Sequence, residues 1–273
     1  MLRAEMSPLP RTWPLARPDL DGFERPGARG SRCLLLHGFT ASPREVLPLA
    51  DALTAAGFPV TALRLPGHGT HVADLERTPA AEWIAAAEDA LVAASRNGRV
   101  CVAGQSMGGL LALLLAARHP DKVRAVASLA APMWFSSRNA RLLEPIFRWT
   151  QAWRFVRYTA KGVSDLPPDA LAAHYTYDRF PVRGVLALAG VIRETRRALP
   201  RLSVPLLVIH GRKDRSAPFE GARMLLDLAG SETKEFIAMD DSHHLLTLDV
   251  DSARVCAAVS EFFTRAGAVD GRS

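Results

Sequence analysis

The chain has 273 residues, a net charge of +6 at neutral pH and 48% hydrophobic residues. This length is typical of one large domain, or of a core domain with an elaboration, and the hydrophobic content excludes a disordered chain. No apolar run approaches the roughly 18 residues of a membrane span, and the proline-broken N-terminal residues lack the apolar stretch of a secretory signal. We therefore expect a cytoplasmic protein, whose basic surplus admits nucleic acid, anionic membranes or acidic substrates as partners.

Short apolar runs alternate with longer helical patterns along most of the chain. In order, the runs predict strands at 33–36, 60–65, 100–103, 123–129, 204–209 and 234–239. Between them the patterns predict helices at 43–56, 79–95, 106–118, 219–229 and 251–266. The near-continuous apolarity of the strands indicates a parallel sheet covered on both faces, and the alternation predicts a doubly wound α/β fold. For residues 1–32 we expect a loop or an edge hairpin.

The segment between residues 133 and 201 interrupts this alternation. It has no strand pattern, several aromatic residues and the pair Pro167-Pro168, and it predicts a helical cap inserted between two strands. Residues 145–158 place apolar side chains on one helical face. That face has three interpretations: packing on the core, a lid that forms an acyl pocket, or docking to a lipid surface. The candidate pocket residues are Trp134, Ile146, Trp149 and Trp153.

The run Gly104-Gln105-Ser106-Met107-Gly108 is a G-x-S-x-G motif between a predicted strand and a predicted helix. A sharp turn at this place forces the central residue into a strained backbone conformation and raises its side chain above the carboxyl edge of the sheet. Both glycines of this nucleophile elbow are expected because the neighbouring chain passes too close for a Cβ atom. The motif predicts Ser106 as a nucleophile, with a serine that only caps the helix as the alternative.

The elbow, together with the run Leu34-Leu35-Leu36-His37-Gly38-Phe39-Thr40, resembles the α/β-hydrolase superfamily, and within it small bacterial carboxylesterases and monoacylglycerol-lipase-like enzymes. The resemblance covers nearly the whole chain from residue 33 to 263 and is weakest at 133–201. It implies a mostly parallel central sheet with helices on both faces and a small helical cap inserted after the sixth strand. The implied domains are a core of residues 1–132 and 202–273 and a cap, or lid, of residues 133–201.

A nucleophilic serine needs a general base, and the base needs a carboxylate that orients it. The loop after the last predicted strand contains His243 and His244, and the resemblance places the catalytic histidine at His244. His243 stands where the family usually has glycine and is the alternative. The loop after strand 204–209 contains Asp214 at the position of the family's acid, although a carboxylate that only caps the loop would give the same pattern. The chain order Ser106, Asp214, His244 is the one expected for this fold.

Acyl transfer also requires backbone N–H groups that bind the tetrahedral oxyanion. Met107, the residue after the nucleophile, is expected to supply one. The family's His-Gly pair corresponds to His37-Gly38, so the resemblance implies Phe39 as the second donor and His37 as a residue that holds this loop. No spacing of histidines, cysteines and carboxylates is typical of a metal site, and neither metal nor cofactor is expected.

The sequence thus predicts a serine carboxylic-ester hydrolase, a carboxylesterase that acts on small to medium hydrophobic acyl esters through a Ser-His-Asp triad and an acyl-enzyme intermediate. A monoacylglycerol lipase or lysophospholipase is the alternative, and a thioesterase or acyltransferase would use the same triad. A ligand-binding protein on a hydrolase scaffold is the alternative outside enzymes. The expected partner is a small-molecule ester. Nucleic acid is not expected, since no recognition motif accompanies the charge, and the oligomeric state is left open.

The basic surplus is concentrated in the predicted cap. Residues 138–201 contain twelve basic and five acidic residues, a net charge of +7, whereas the rest of the chain has a net charge of −1. This charge has two interpretations: an ordinary solvated exterior, or a surface that attracts acidic esters and makes weak contact with anionic lipid.

Overall fold

The structure is a computed structural model that describes residues 20–136, 150, 156–161 and 174–268. In this part of the chain the main sheet contains seven strands. They are β1 (Phe23–Arg25), β2 (Cys33–Leu36), β3 (Val60–Leu63), β4 (Val100–Gln105), β5 (Val123–Leu129), β8 (Leu206–Gly211) and β9 (Lys234–Met239). A second sheet pairs two short antiparallel strands, β6 (Tyr158–Ala160) and β7 (Arg179–Pro181).

The strand order of the main sheet is β1-β3-β2-β4-β5-β8-β9, and every neighbouring pair except β1–β3 is parallel. The prediction of a mostly parallel sheet is therefore confirmed. Because these strands are parallel, the loops after β2, β4, β8 and β9 all emerge at the carboxyl edge of the sheet. The residues that the sequence assigns to catalysis and to the oxyanion all lie in these loops or directly after them.

Helices cover both faces of the sheet, as predicted. They are α1 (Leu47–Ala55), α2 (Val72–Arg77), α3 (Ala80–Ala94), α4 (Met107–Arg118), α5 (Val182–Ala198), α6 (Glu220–Leu228) and α7 (Ser252–Ala268). α1 and α7 share one hydrophobic cluster with Cys101 and Ala103 of β4. α3, α4, α5 and α6 share another with Val100 and Val102. Alternate residues of a strand point to opposite faces, so β4 is buried between two helical layers.

One feature of the middle of the chain differs from the sequence prediction. Residues 158–160 and 179–181 form strands although the sequence shows no strand pattern there, because three-residue strands are too short to display an alternation. In the described ranges, five strands of the main sheet precede residue 133, and the insertion of the cap after a sixth strand stays a prediction.

The segment 133–201 also contributes to the main hydrophobic core. The apolar face of α5, with Leu188, Val191 and Ile192, is buried in the same cluster as the leucines of α4. The last turn of α5 carries basic residues, which a helix C-terminus favours. The boundaries of the cap stay a prediction. No helix in the described part of the chain combines the length and the apolarity needed to cross a membrane.

Candidate active site

Ser106 lies in the turn between β4 and α4. Its φ of 56° and ψ of −116° lie in a region that non-glycine residues rarely adopt. A Cβ atom on Gly104 would lie 2.1 Å from the carbonyl oxygen of Gly108, and a Cβ atom on Gly108 would lie 2.0 Å from that of Leu36. Close backbone approach therefore requires both glycines, as the motif predicts, and the packed turn holds Ser106 in its strained conformation.

The structure brings Ser106, His244 and Asp214 together in a chain of hydrogen bonds. His244 Nε2 lies 2.9 Å from Ser106 Oγ, and His244 Nδ1 lies 2.8 Å from Asp214 Oδ2. The Asp214 side chain is fully buried, whereas that of His244 is 21% exposed. With Nδ1–H donating to the carboxylate, Nε2 is the acceptor that can take the hydroxyl proton.

The negative charge of Asp214 and a positive charge on His244 stabilise each other. Burial raises the pKa of Asp214, but the His244 charge and hydrogen bonds from His210, His244 and the Ala217 N–H outweigh burial and hold the pKa below its ordinary 3.8. Burial lowers the pKa of His244, but the Asp214 charge and hydrogen bond, with the Glu45 charge, raise it above 6.5. Asp214 thus stays ionised and favours a proton on His244.

The Asp214 carboxylate caps its loop and orients His244 at the same time. Its Oδ1 accepts the N–H groups of Ser216 and Ala217, each at 2.8 Å, while Oδ2 faces His244. The buried ring of His210, at the end of β8, places Nε2 3.3 Å from Asp214 Oδ2 and 3.0 Å from the Ala217 carbonyl oxygen. No motif marks His210 in the sequence, because its contact with Asp214 depends on the turn that the loop makes.

His243, the alternative base, is bound elsewhere. Its N–H donates to Asp249 Oδ2 at 2.6 Å, and its Nδ1 lies 3.1 Å from the same oxygen. The carbonyl oxygen of His244 accepts a hydrogen bond from the buried Gln105 side chain at 2.6 Å, which ties this loop to the elbow. The geometry therefore favours His244 over His243 as the partner of Ser106.

The loop after β2 packs directly on the elbow, since a Cβ atom on Gly38 would lie 3.4 Å from Ser106 Cβ. His37 holds this loop. The Leu65 N–H donates to His37 Nε2 at 3.1 Å, so Nδ1 carries the proton and donates to the Gly38 carbonyl oxygen at 2.9 Å. Burial lowers the pKa of His37 to about 4, and the ring is neutral. His37 thus holds the loop, as the resemblance implies.

Glu45 is a second carboxylate at the site, and no sequence motif marks it. It is 2% exposed, and its Oε2 accepts the Gly38 N–H at 2.5 Å. Burial raises the pKa of Glu45 to about 7, against the opposing effect of the Gly38 hydrogen bond. The N–H groups of Phe39 and Met107 have no acceptor among the described residues. The Gly38 N–H, by contrast, is already taken by Glu45, and the role of the Phe39 and Met107 N–H groups as oxyanion donors stays a prediction.

Residues of the predicted cap hold the end of the same loop. Thr40 has a φ of 66°, which is an outlier for a β-branched residue. Its carbonyl oxygen accepts the Tyr177 N–H at 3.1 Å. Its Oγ1 lies 2.9 Å from Thr176 Oγ1 and accepts a hydrogen bond from Lys161 Nζ at 3.0 Å. Residues of the predicted cap thus fix the position of Thr40, which directly follows Phe39.

The predicted pocket is described only in part. Trp134 is partly buried and packs against the core. The other three candidates, Ile146, Trp149 and Trp153, lie outside the described residues. An apolar wall is nevertheless visible beside the loop, where the ring of Phe39 stacks on that of Phe180 with centroids 5.9 Å apart. Within the described ranges, no group of three or more His, Cys, Asp or Glu residues is arranged to hold a metal ion.

Comparison with known proteins identifies the family. Residues 28–251 match the Hydrolase_4 family, described as serine aminopeptidase, S33. The thermostable monoacylglycerol lipase of Bacillus sp. (strain H-257) is 33% identical over 85% of this chain and 90% of its own length. The carboxylesterase of Bacillus subtilis (strain 168) is 23% identical over 85% of this chain and 92% of its own length. A solved structure from work on LipS and LipT, two metagenome-derived lipolytic enzymes, superposes with a TM-score of 0.81 and 25% sequence identity. The match covers 91% of this chain and 98% of the chain in that structure. These matches confirm the resemblance that the motifs carry: the chain belongs to the serine aminopeptidase S33 family and has the α/β-hydrolase fold.

Proposed function

We propose that the protein is a serine carboxylic-ester hydrolase in which Ser106 is the nucleophile, His244 the general base and Asp214 the carboxylate that orients the base. The observation that carries the proposal is the unbroken hydrogen-bonded chain from Ser106 Oγ through both ring nitrogens of His244 to Asp214. Membership of a hydrolase family, and relatives named as a lipase and a carboxylesterase, support an ester as the substrate.

In the first half-reaction, His244 Nε2 takes the hydroxyl proton as Ser106 Oγ attacks the carbonyl carbon of the ester. The N–H groups of Phe39 and Met107 donate to the resulting oxyanion. Met107 is the first residue of α4, so the positive end of that helix also favours the developing charge. The C–O bond to the alcohol then breaks, the alcohol leaves with the proton from His244, and Ser106 stays acylated.

In the second half-reaction, His244 Nε2 takes a proton from water as the water oxygen attacks the acyl carbon. The bond from that carbon to Ser106 Oγ breaks, the carboxylic acid leaves, and the proton returns to the serine. Asp214 stabilises the imidazolium in both half-reactions, because its buried carboxylate keeps its negative charge throughout.

The proposed acyl groups are small to medium and hydrophobic. Beside the oxyanion loop, the Phe39 ring stacks on Phe180 and meets Trp83 edge-on with centroids 5.9 Å apart. Trp83 is fully buried and supports this stack, so the partly exposed Phe39 and Phe180 would form the wall, and an aromatic wall selects apolar chains. The 33% identical Bacillus relative favours a monoacylglycerol lipase as the second candidate.

Labelling with a fluorophosphonate probe and hydrolysis of p-nitrophenyl esters test the proposal. We expect the wild-type protein to be labelled, and Ser106→Ala to lose the label and about 10³-fold or more of kcat. Ser95→Ala is the matched control, since Ser95 precedes β4 at the opposite edge of the sheet. A Ser106→Ala variant that keeps the wild-type rate would contradict the proposal. A wild-type protein that neither labels nor hydrolyses esters would support the ligand-binding alternative.

Two substrate series separate the esterase from the lipase. The first varies the acyl length of p-nitrophenyl esters, and the second compares a monoacylglycerol with the methyl ester of the same fatty acid. A carboxylesterase shows its highest kcat/KM with short to medium acyl chains and no preference for glycerol. A preference for the monoacylglycerol at long acyl length would favour the second candidate.

A further inference from the structure

A partly buried cation of the cap lies beside the site without an ion-pair partner among the described residues. This cation is Lys161, which follows β6, and its described hydrogen-bond partners are the hydroxyl groups of Thr40, at 3.0 Å, and Thr176. Burial lowers its pKa to about 8, against the opposing charges of Glu45 and Asp178, so the amine is mostly protonated at neutral pH. A charge removed from water is costly unless a counter-charge meets it.

The two carboxylates near Lys161 are engaged by other donors. Glu45 accepts the Gly38 N–H, and Asp178 accepts two hydrogen bonds from the Arg179 guanidinium, both at 2.9 Å. Their charges reach Lys161 only from a distance. In the described part of the chain, the contacts of the ammonium are therefore with neutral groups.

Hydrogen-bond donors outnumber acceptors around Lys161. An ammonium has three protons, and Lys161 donates one to each of the hydroxyl oxygens of Thr40 and Thr176. These two oxygens lie 2.9 Å apart, so one hydroxyl donates to the other. One ammonium proton and one hydroxyl proton have no acceptor among the described residues. Two adjacent donors, one of them charged, match the two oxygens of a carboxylate.

This cluster lies close to the reacting groups. Thr40 directly follows Phe39, whose N–H is the proposed oxyanion donor. Lys161 Nζ lies 5.4 Å from the centre of the Phe180 ring, which in turn stacks on the ring of Phe39. The positive charge of Lys161 also lowers the pKa of His244. An ester bound at Ser106 therefore lies within electrostatic reach of the ammonium.

His174 adds a second nitrogen near this cluster. Its Nδ1 atom is buried and has no hydrogen-bond partner in the described residues. Burial and the charge of Lys161 lower the pKa of His174 to about 4, so its ring is neutral at neutral pH. A neutral imidazole can bind a substrate oxygen without adding charge, and the positive charge at this place comes from Lys161.

We infer that Lys161, with Thr40 and Thr176, forms a subsite for a carboxylate group carried by the ester substrate. The inference rests on the proposed ester hydrolase and adds a substrate class to it. The class is half-esters of dicarboxylic acids if the carboxylate lies on the acyl side, and esters of hydroxy acids if it lies on the alcohol side. If Lys161 only ties the cap to the oxyanion loop, charged and neutral esters will respond equally to its loss.

Two pairs of esters test the inference, each pair differing by a carboxylate against a neutral carboxamide. The acyl-side pair is p-nitrophenyl hydrogen adipate and p-nitrophenyl adipamate, and the alcohol-side pair is para-carboxyphenyl hexanoate and para-carbamoylphenyl hexanoate. For each pair the ratio of kcat/KM, carboxylate over carboxamide, is measured in wild type, Lys161→Met, Lys161→Arg and Lys122→Met. Lys122 is the matched control, because it precedes β5 at the opposite edge of the sheet and pairs with Asp121 at 2.6 Å.

We expect Lys161→Met to lower the ratio about tenfold or more in one of the two pairs, because it removes the charged partner of a desolvated carboxylate. Lys161→Arg keeps most of the wild-type ratio, and Lys122→Met leaves it unchanged. A ratio that Lys161→Met changes in neither pair overturns the inference. A failure of the proposed function gives a different result from a failure of the subsite. In that case Ser106→Ala would not lower the hydrolysis of any of the four esters, the neutral carboxamides included.

Folding of the variants is checked by thermal unfolding. If Lys161→Met does not fold, the inference is tested with the two ester pairs in the wild-type protein alone. A higher kcat/KM for the carboxylate ester in at least one pair supports the subsite, and a higher kcat/KM for the carboxamide ester in both pairs overturns it.

Discussion

The candidate site has two sides that are built in different ways: a sheet side with Ser106, Asp214 and His244, and a cap side with Lys161, Thr176 and Tyr177 of the predicted cap. On the sheet side, Ser106, Asp214 and His244 follow the strands β4, β8 and β9, and backbone contacts fix their loops. The Ser106 N–H donates to the Leu129 carbonyl oxygen at 2.7 Å, and the glycines of the elbow leave no room for a Cβ atom. The position of Ser106 thus depends on the main chain of neighbouring strands, while the Gln105 side chain ties the His244 loop to the elbow.

On the cap side, side chains make several of the contacts. Lys161 and Thr176 bind the hydroxyl of Thr40, and the Tyr177 hydroxyl donates to the Gly67 carbonyl oxygen at 2.8 Å. A single substitution can exchange such a contact without changing the course of a strand. Under the proposed function, the nucleophile lies where backbone geometry permits little variation, whereas the proposed carboxylate subsite lies where side chains can vary.

Substitution of one residue on each side should lower kcat by very different factors. Asp214→Asn should lower kcat by about 10³-fold or more, because the amide no longer favours the tautomer of His244 that accepts the serine proton. Tyr177→Phe, which removes the hydroxyl that bonds Gly67 and Thr70 on the cap side, should lower kcat by no more than about tenfold. The measurement is kcat for a neutral p-nitrophenyl ester at saturation. Equal losses in the two folded variants would show that the two sides are not separable.

The pH dependence separates two charges near His244, that of Glu45 beside the oxyanion loop and that of Lys161 in the predicted cap, because they act on its pKa in opposite directions. His244 must be neutral to accept the proton, so kcat/KM should rise with pH through a midpoint above 6.5. The Glu45 charge raises the pKa of His244 and the Lys161 charge lowers it. Glu45→Gln should therefore move the midpoint to lower pH, and Lys161→Met should move it to higher pH.

The groups around His244 define the control for these profiles. Asp214 stays ionised throughout the range, and His174, with a pKa of about 4, carries no charge there. Burial raises the pKa of Glu45 to about 7, so Glu45 also titrates within the measured pH range. The Glu45→Gln substitution removes this second titration, and kcat/KM should then rise over a narrower pH interval. The profiles are measured with a neutral ester, so that the substrate does not titrate. Shifts of the same sign in both variants would contradict the opposed charges.

The elbow could be predicted from the sequence because its two glycines, which close backbone approach requires, leave a local signature. Short apolar strands mark the loops that contain Asp214 and His244, but the choice of these two residues comes from the family resemblance. The fold is predictable for the same reason, since buried strands read as apolar runs. The helix α2 has no such signature: it is six residues long, and its N-cap is His71, which is not among the usual capping residues.

The cap side could not be predicted, because its contacts join residues that are distant along the chain. Thr40 and Lys161 are separated by 121 positions, and nothing near either residue marks the hydrogen bond between them. Glu45, which lies outside the predicted cap, is hidden for a similar reason: it lies in an ordinary helix-start pattern, and only the fold shows that its carboxylate is buried against Gly38. Residues of this kind become visible through burial and unsatisfied donors, which are properties of the folded chain.

The salt dependence of catalysis tests the smallest effect, that of the exposed charge of the cap. Arg196, Arg197 and Arg201 are exposed, and the contact with anionic lipid that the basic surplus suggests stays a prediction. If this charge attracts acidic esters, kcat/KM for p-nitrophenyl hydrogen adipate should fall with added salt roughly threefold more than kcat/KM for the neutral adipamate. The measurement is kcat/KM for both esters from low to high ionic strength.

The same series in Lys161→Met separates the exposed charge from the proposed subsite. Exposed charges are screened by salt more strongly than partly buried ones, so the variant should keep the salt response while it loses the preference for the carboxylate. A salt response that disappears with Lys161 would assign long-range attraction to this single residue. Equal responses of the charged and neutral esters in wild type would leave the basic surplus as ordinary solvated surface, and selection of a carboxylate would then depend on contact within the site alone.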